Sequence, residues 1–396
     1  MGIYFNPSNE SFKKDRNYKI YVDKTELLEY LNELVETPKN CVAVSHARRF
    51  GKSHAAGMID AYYSLGCDSS NLFENTKITE HADYKKYMNQ YNVIHLDISS
   101  VWDFHKEDIV EAVKERIIDD FKEEYGEDLN YSKDINRLIN DIYRKTNTPF
   151  VIIIDEWDCV IRNSDDKALV HQYLQFLHSL FKSEESKTFL ALGYITGILP
   201  IKKIWDESAL NNFCEYTMLK SKPITKFYGF TEEEVKELCK KYQLDFDSVK
   251  AWYNGYELSV VEAQKLKVYA MYNPKSVVDA MLSGIFDNYW NQTETYEALK
   301  AYICMNFDGL KDSVIKILAG DRVQINTGTF SNDMTSFQSR DDILTLLVHL
   351  GYLSYHWPDK IVAIPNKEVS QEYVNAISTM DWNEVIHSVE ASRKLL

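Results

Sequence analysis

Four short apolar runs, Cys41–Ser45, Val93–Ile98, Phe150–Asp155 and Phe189–Thr196, punctuate the first half of the chain, and each gives way to polar or helix-starting residues. Unbroken apolar stretches of this length predict strands buried on both faces. A weaker fifth candidate is Ile224–Phe230. Between them, Ile109–Tyr125 and Leu169–Phe181 repeat apolar residues at the three-to-four spacing of an amphipathic helix. Strands separated by helices in this rhythm predict an α/β domain over residues 1–230, with a mostly parallel sheet flanked by helices.

The pattern changes after residue 230. Thr231-Glu232-Glu233-Glu234 reads as a capping box, with a threonine followed three residues later by glutamate, and further helical segments run on to Leu318. Asp341–Leu350 predicts another helix. Two short strands follow, Tyr352–His356 and Ile361–Ile364, joined by Trp357-Pro358-Asp359-Lys360. The expected organisation is therefore a helical region over 231–310 and a winged-helix-like module over 311–396.

Bulk composition narrows the function classes. An apolar share of 45% and a charged share of 27% are those of an ordinary globular protein. A formal charge of −15 weighs against a chain built throughout as a nucleic-acid clamp. The six cysteines are scattered with no CxxC pair, which argues for reduced thiols over zinc or a disulfide framework. No stretch approaches the ~18 apolar residues of a membrane span, and no basic-then-apolar leader opens the chain, so a cytoplasmic location is expected.

The chemistry sits beside two of the strands. Arg48-Arg49-Phe50-Gly51-Lys52-Ser53 follows the first strand and precedes a helix-like segment beginning at His54. A loop so placed aims main-chain N–H groups at phosphate oxygens. Lys52 would neutralise the β- and γ-phosphates, and the Ser53 hydroxyl would ligate magnesium. Arg48 and Arg49 are candidates for forked contacts to phosphate or for pairing with carboxylates. Phe50 is expected to brace the loop, and His54 to lie near phosphate in the first helical turn. The general P-loop spacing would put glycine at position 46, where this chain has His46.

The third strand ends in Asp155-Glu156. Asp155 is expected to hold magnesium and Glu156 to act as general base on the attacking water. Asp158 reads as a ligand one step removed from the metal or, in preference, as a helix-starting acid. Thr196, at the end of the fourth strand, is a candidate sensor of the γ-phosphate, with Asp97 of similar standing. The two halves together predict a P-loop nucleotide-binding protein that uses ATP and Mg2+.

Tyr21-Val22-Asp23-Lys24-Thr25, Arg48–Ser53 and Ile154-Asp155-Glu156-Trp157-Asp158, taken in order, resemble signatures of the bacterial AAA-ATPase-like family. So do Ile195-Thr196-Gly197, Leu210-Asn211-Asn212, Tyr228-Gly229-Phe230-Thr231, Tyr253-Asn254-Gly255-Tyr256, Tyr272-Asn273-Pro274, Gly351-Tyr352-Leu353 and Ile364-Pro365-Asn366. The resemblance covers nearly the whole chain. It implies ATP binding by an additional-strand P-loop NTPase, followed by helical and winged-helix parts. His46-Ala47 stands where the family usually has Arg-Pro, and Trp157 replaces its tyrosine; neither change removes a phosphate or metal ligand. Tyr21 and Val22 are candidates for packing on adenine, and Leu210-Asn211-Asn212 for a nucleotide contact or a helix cap.

Many relatives continue into a PD-(D/E)XK nuclease-like domain. Here about thirty residues follow Ile364-Pro365-Asn366, too few for such a core, and Glu234-Val235-Lys236 falls on a helix face. Cleavage of nucleic acid is not expected. Two function classes follow: an ATP-hydrolysing switch, or a nucleotide-gated module with little turnover that binds DNA or a protein effector through its C-terminal half. A small-molecule kinase would need an acceptor site, and none is recognisable.

Overall fold

Burial on both faces explains why the sheet is built as it is. Every residue of β1 (Cys41–Ser45), β3 (Phe150–Asp155) and β4 (Leu190–Gly197) is buried, as are all of β2 (Asn92–Asp97) but His95 and Asp97. The computed structural model describes residues 2–126, 129, 131, 134–201, 210–262, 264–290, 295–305, 307–331 and 337–378. With β5 (Cys214–Thr217), these strands form one sheet in the order β2-β3-β4-β1-β5. Pairings β2/β3, β3/β4 and β4/β1 are parallel. The mostly parallel sheet is thus present, and β4 lies between the strand before the phosphate loop and the strand that ends in the acids.

The register aligns the carboxyl ends. Asp97 stands opposite Asp155, Ile154 opposite Ile195, and Val44 opposite Thr196. Open parallel sheets bind ligands along this edge, because helix N-termini and strand-end side chains meet there. The amphipathic helix Ile109–Tyr125 begins and ends where its periodicity predicts, and the second extends slightly, to Lys167–Lys182.

By contacts the chain divides into two units. The first holds Met1–Ser45 and Lys52–Tyr216; the second holds His46–Gly51, Thr217–Ser331 and the residues from Thr335 onward. The changeover at Tyr216 precedes the expected boundary at residue 230. The predicted fifth strand is also corrected. Residues Thr225–Phe227 form a 3-10 turn, and only β6 (Phe230–Thr231) is extended, in a different sheet. The true fifth strand, Cys214–Thr217, carries a glutamate and a threonine and is only partly buried, so it has no apolar signature.

In the second unit the expected capping box is made. The Thr231 hydroxyl accepts the Glu234 N–H, and the Glu234 carboxylate accepts the Thr231 N–H, opening the helix Glu232–Tyr242. The stretch expected as a helical region needs one correction: it also contains a long antiparallel hairpin, β7 (Tyr256–Glu262) with β8 (Lys265–Tyr272), which pairs onward to β6. Further on, the helix Arg340–Leu350 leads into β10 (Ser354–His356) and β11 (Ile361–Ala363), an antiparallel pair extended by β9 (Val323–Gln324). Leu310, Val314, Ile343, Leu347, Leu353, Val362 and Tyr373 pack in the core of this unit. Gly255 is required there: at φ +123°, its backbone runs so close that an added Cβ would lie 1.7 Å from the Pro365 carbonyl oxygen. The Tyr253–Tyr256 motif is therefore a packed turn.

Candidate active site at the carboxyl edge

The helix Lys52–Tyr63 starts with its lysine buried and its next two residues exposed. Burial pushes the Lys52 ammonium below the ordinary lysine value, while the charges of Glu156, Asp155 and Asp158, in that order of strength, pull it back up. A cation and three carboxylates from sequence positions a hundred residues apart are thus gathered in the first unit. Ser53 is exposed beside the lysine.

Asp155 closes β3 and is 5% exposed. Its carboxylate accepts the Thr196 hydroxyl from the adjacent strand and the N–H of Glu156 at 3.1 Å. Thr196 is fully buried. Its hydroxyl thus orients the acid expected to hold metal. Glu156 then turns the chain sharply, with a left-handed φ of +51°, and the next N–H, of Trp157, bonds the Thr196 carbonyl at 2.9 Å. Left-handed backbone at a non-glycine residue costs about 1–3 kcal/mol and persists where surrounding bonds enforce it. Burial raises the Glu156 pKa above the usual carboxylate value, opposed by Lys52 and Arg162.

Asp158 does not act as the capping acid expected of it. It precedes the short helix Cys159–Asn163, yet its side chain makes no cap bond. Its Oδ2 accepts the N–H groups of Ile198 (3.0 Å) and Leu199 (2.8 Å) and the Nε–H of Arg162 (3.0 Å). It therefore ties the turn after β3 to the turn after β4. Gly197 makes this approach possible, since an added Cβ would stand 2.6 Å from Trp157 Nε1 and 2.7 Å from Asp158 Oδ1. Arg162 itself, which no motif flagged, also donates to Glu156 Oε2 at 2.5 Å. Its i,i+4 spacing from Asp158 was the available signal.

Other expected residues are engaged differently. Asp97 caps the helix Ile98–Trp102, accepting the N–H and hydroxyl of Ser99, which explains an acid at that strand end without any sensor role. His54 is exposed and pairs with Asp15 at 2.8 Å, which raises its pKa. Tyr21 lies against the Arg16 guanidinium, 4.8 Å from the ring centre. Among the described residues Asn212 caps no helix; its amide donates to the Phe181 carbonyl at 2.9 Å.

The loop His46–Gly51 is grouped with the second unit. Arg49 (φ +68°) and Gly51 (φ +85°) are left-handed. Arg49 Nη1 donates to the main-chain carbonyls of Tyr289 (3.0 Å) and Trp290 (2.5 Å), partners that sequence reading did not anticipate. Phe50 is buried as expected of a brace, edge-on to Tyr256 at 5.1 Å, and its carbonyl accepts the Gly229 N–H.

Magnesium fits the donor chemistry. The ion favours a few hard oxygen ligands and keeps waters and phosphate oxygens for the rest. Ser53 and Asp155 would supply a hydroxyl and a carboxylate of that kind. No helix among the described residues is long and apolar enough to cross a membrane.

Residues 9–204, about half the chain, match the family described as predicted AAA-ATPase. The uncharacterised protein in the vnfD 5' region of Azotobacter chroococcum mcd 1 is 23% identical over 286 residues. That match covers 69% of this chain and 51% of the relative, so the chain spans about half the length of this curated protein. Among solved structures, the Aeropyrum pernix ORC2 protein in its ADPNP-ADP complexes is 11% identical, with 98% of each chain covered and a TM-score of 0.39. CDC6P from Pyrobaculum aerophilum is 10% identical over 94% of this chain and 98% of that one, with a TM-score of 0.29. Scores at this level carry no assignment; the sequence match does, and across residues 9–204 the chain belongs to the predicted AAA-ATPase family.

Proposed function

We propose that the first unit binds Mg-ATP at the carboxyl edge of its sheet and hydrolyses it, as a switch read by the C-terminal half. The observation that carries this is the gathering of Lys52, Asp155 and Glu156, whose charges act on one another across a buried edge. Lys52 would take the β- and γ-phosphate charge, with the turn into His54 following it. Ser53 and Asp155 would hold magnesium, which when bound neutralises phosphate charge as the bond to the γ-phosphorus breaks. Glu156 would accept a proton from water as its oxygen attacks the γ-phosphorus, and ADP leaves with the bridging oxygen. Thr196, bonded to Asp155, would report on the same phosphate.

Isothermal titration and phosphate release on one sample test the assignment. Lys52→Ala should abolish ATP binding, and Glu156→Gln should bind ATP with near-parent affinity while turnover falls at least a hundredfold, on the order of one lost catalytic proton transfer. Parent-like hydrolysis by both variants would end the reading.

The helix Arg340–Leu350 followed by the β10–β11 hairpin supports a second element of the proposal. A winged-helix-like module over 311–396 would bind DNA or a protein effector according to nucleotide state. Binding to duplex DNA should weaken steeply as salt rises if phosphate contacts carry it. A parent chain that binds ATP but releases no phosphate above background would favour a gated module over an ATPase.

A further inference from the structure

Arg162 occupies a position that packing alone does not explain. Its side chain is 10% exposed and carries two carboxylates at once: Nε to Asp158 Oδ2 at 3.0 Å and Nη2 to Glu156 Oε2 at 2.5 Å. Asp158 is fully buried and is itself fixed by the main-chain N–H groups of Ile198 and Leu199. The arginine is therefore not a mobile surface cation that happens to meet an acid. It is oriented at its Nε by a carboxylate that cannot move without breaking the turn after β4. The planar guanidinium then fixes where its other face points.

That face points at Glu156. Among the described residues only one of its carboxylate oxygens, Oε2, has a hydrogen-bond partner. The Glu156 side chain is 24% exposed, so it is the one carboxylate of the three-residue chain that reaches toward solvent. A general base needs both properties: one oxygen held so that the carboxylate plane is set, and the other left to a water. Resting on the proposed hydrolysis, we propose that Arg162 is a positioning residue for Glu156, with Asp158 as its anchor, and that it governs turnover without contributing to nucleotide affinity. The line runs from the Ile198 and Leu199 N–H groups through Asp158 and Arg162 to Glu156, so the end of β4 sets the orientation of the acid beyond β3.

The test is a kinetic cycle on the full chain. ATP affinity by titration and turnover by phosphate release are measured for the parent, Arg162→Gln, Glu156→Gln and the double variant. The expected result is an Arg162→Gln protein whose ATP dissociation constant stays within twofold of the parent while kcat falls tenfold or more. In the Glu156→Gln background, adding Arg162→Gln should change kcat by less than twofold, because its effect passes through the missing carboxylate. Arg162→Lys, which keeps the charge but loses the fork, should recover part of the rate. It also serves as the working variant if Arg162→Gln does not fold with Asp158 left uncompensated.

Losses that multiply in the double variant, or affinity and turnover that fall together, would make Arg162 a merely structural residue and overturn the proposal. Parent-like turnover in Arg162→Gln, with Glu156→Gln inactive, would overturn it and leave the base assignment standing. Parent-like turnover in Glu156→Gln, or a parent with no turnover, would overturn both.

Discussion

At the scale of single residues, side chains that a motif names and side chains that hold the motif in place are different sets. Lys52, Asp155 and Glu156 are the residues that phosphate chemistry names at strand ends, and Lys52 is buried where the charges of both acids raise its pKa against that burial. The bonds from Ile198 and Leu199 to Asp158 and the need for Gly197 were not legible, because those partners meet only across two strands; Arg162, four residues from Asp158 and six from Glu156, had its spacing alone to mark it. Gly197 gives the plainest test. An added Cβ would meet the fully buried Trp157 at 2.6 Å and Asp158 at 2.7 Å, so Gly197→Ala should destabilise by about 1–3 kcal/mol, the usual cost of overpacking. A drop in the urea midpoint with unchanged slope would register it.

Glu368 in the second unit supplies a pH test. Fully buried, it accepts the Trp290 N–H at 2.7 Å, and burial pushes its carboxyl up to about 7, with Ser276, main-chain N–H groups and the Arg49 charge pulling the other way. The folded protein therefore holds this proton more tightly than the unfolded chain does. Its contribution is fully present below the unfolded value of 4.5 and is lost as pH rises toward the folded value. Glu368→Gln should flatten the fall in stability across that window, by about 3 kcal/mol at most, in denaturation midpoints compared at about pH 5 and pH 8.

At the scale of elements, apolar continuity located the four central strands to within a residue or two, since a strand covered on both faces can hold almost nothing else. The same criterion failed for β5, whose Cys-Glu-Tyr-Thr is partly exposed, and it misassigned Ile224–Phe230, where Gly229 at φ +89° breaks the extension. The β7–β8 hairpin escaped notice for a related reason: β8 opens with exposed residues, so its apolar positions do not form a run. Local chemistry did better where a cap is self-contained. The Thr231/Glu234 box needs only four consecutive residues. Thr231→Ala should cost about 1 kcal/mol, the usual value of a lost N-cap, read as a lower thermal midpoint. Thr231→Ser should leave it nearly unchanged.

At the scale of the whole molecule, the division into units cuts through the phosphate loop itself. The chain leaves the first unit at Ser45, spends His46–Gly51 with the second, and returns at Lys52. Within the second unit the loop is well anchored: His46 lies against Tyr228 at 5.3 Å, Phe50 against Tyr256, and Arg49 on the carbonyls of residues 289 and 290. Tyr256 is in turn held by its hydroxyl donating to the Gly351 carbonyl at 2.7 Å. Gly51 is joined covalently to the lysine expected to meet phosphate, so the order of the loop and the placing of that lysine are linked through one peptide bond. If the proposed switch operates, the firmness with which the second unit's core holds residues 46–51 is what it would be expected to change. Phe50→Leu keeps an apolar brace but loses the edge-on contact, worth about 1 kcal/mol. It should weaken ATP binding up to about tenfold, the equivalent of about 1.4 kcal/mol, although Lys52, Ser53, Asp155 and Glu156 are untouched. Titration of ATP into this variant decides the point: parent affinity would mean that the loop's anchorage is indifferent to nucleotide, and that any signal to the C-terminal half leaves by another path.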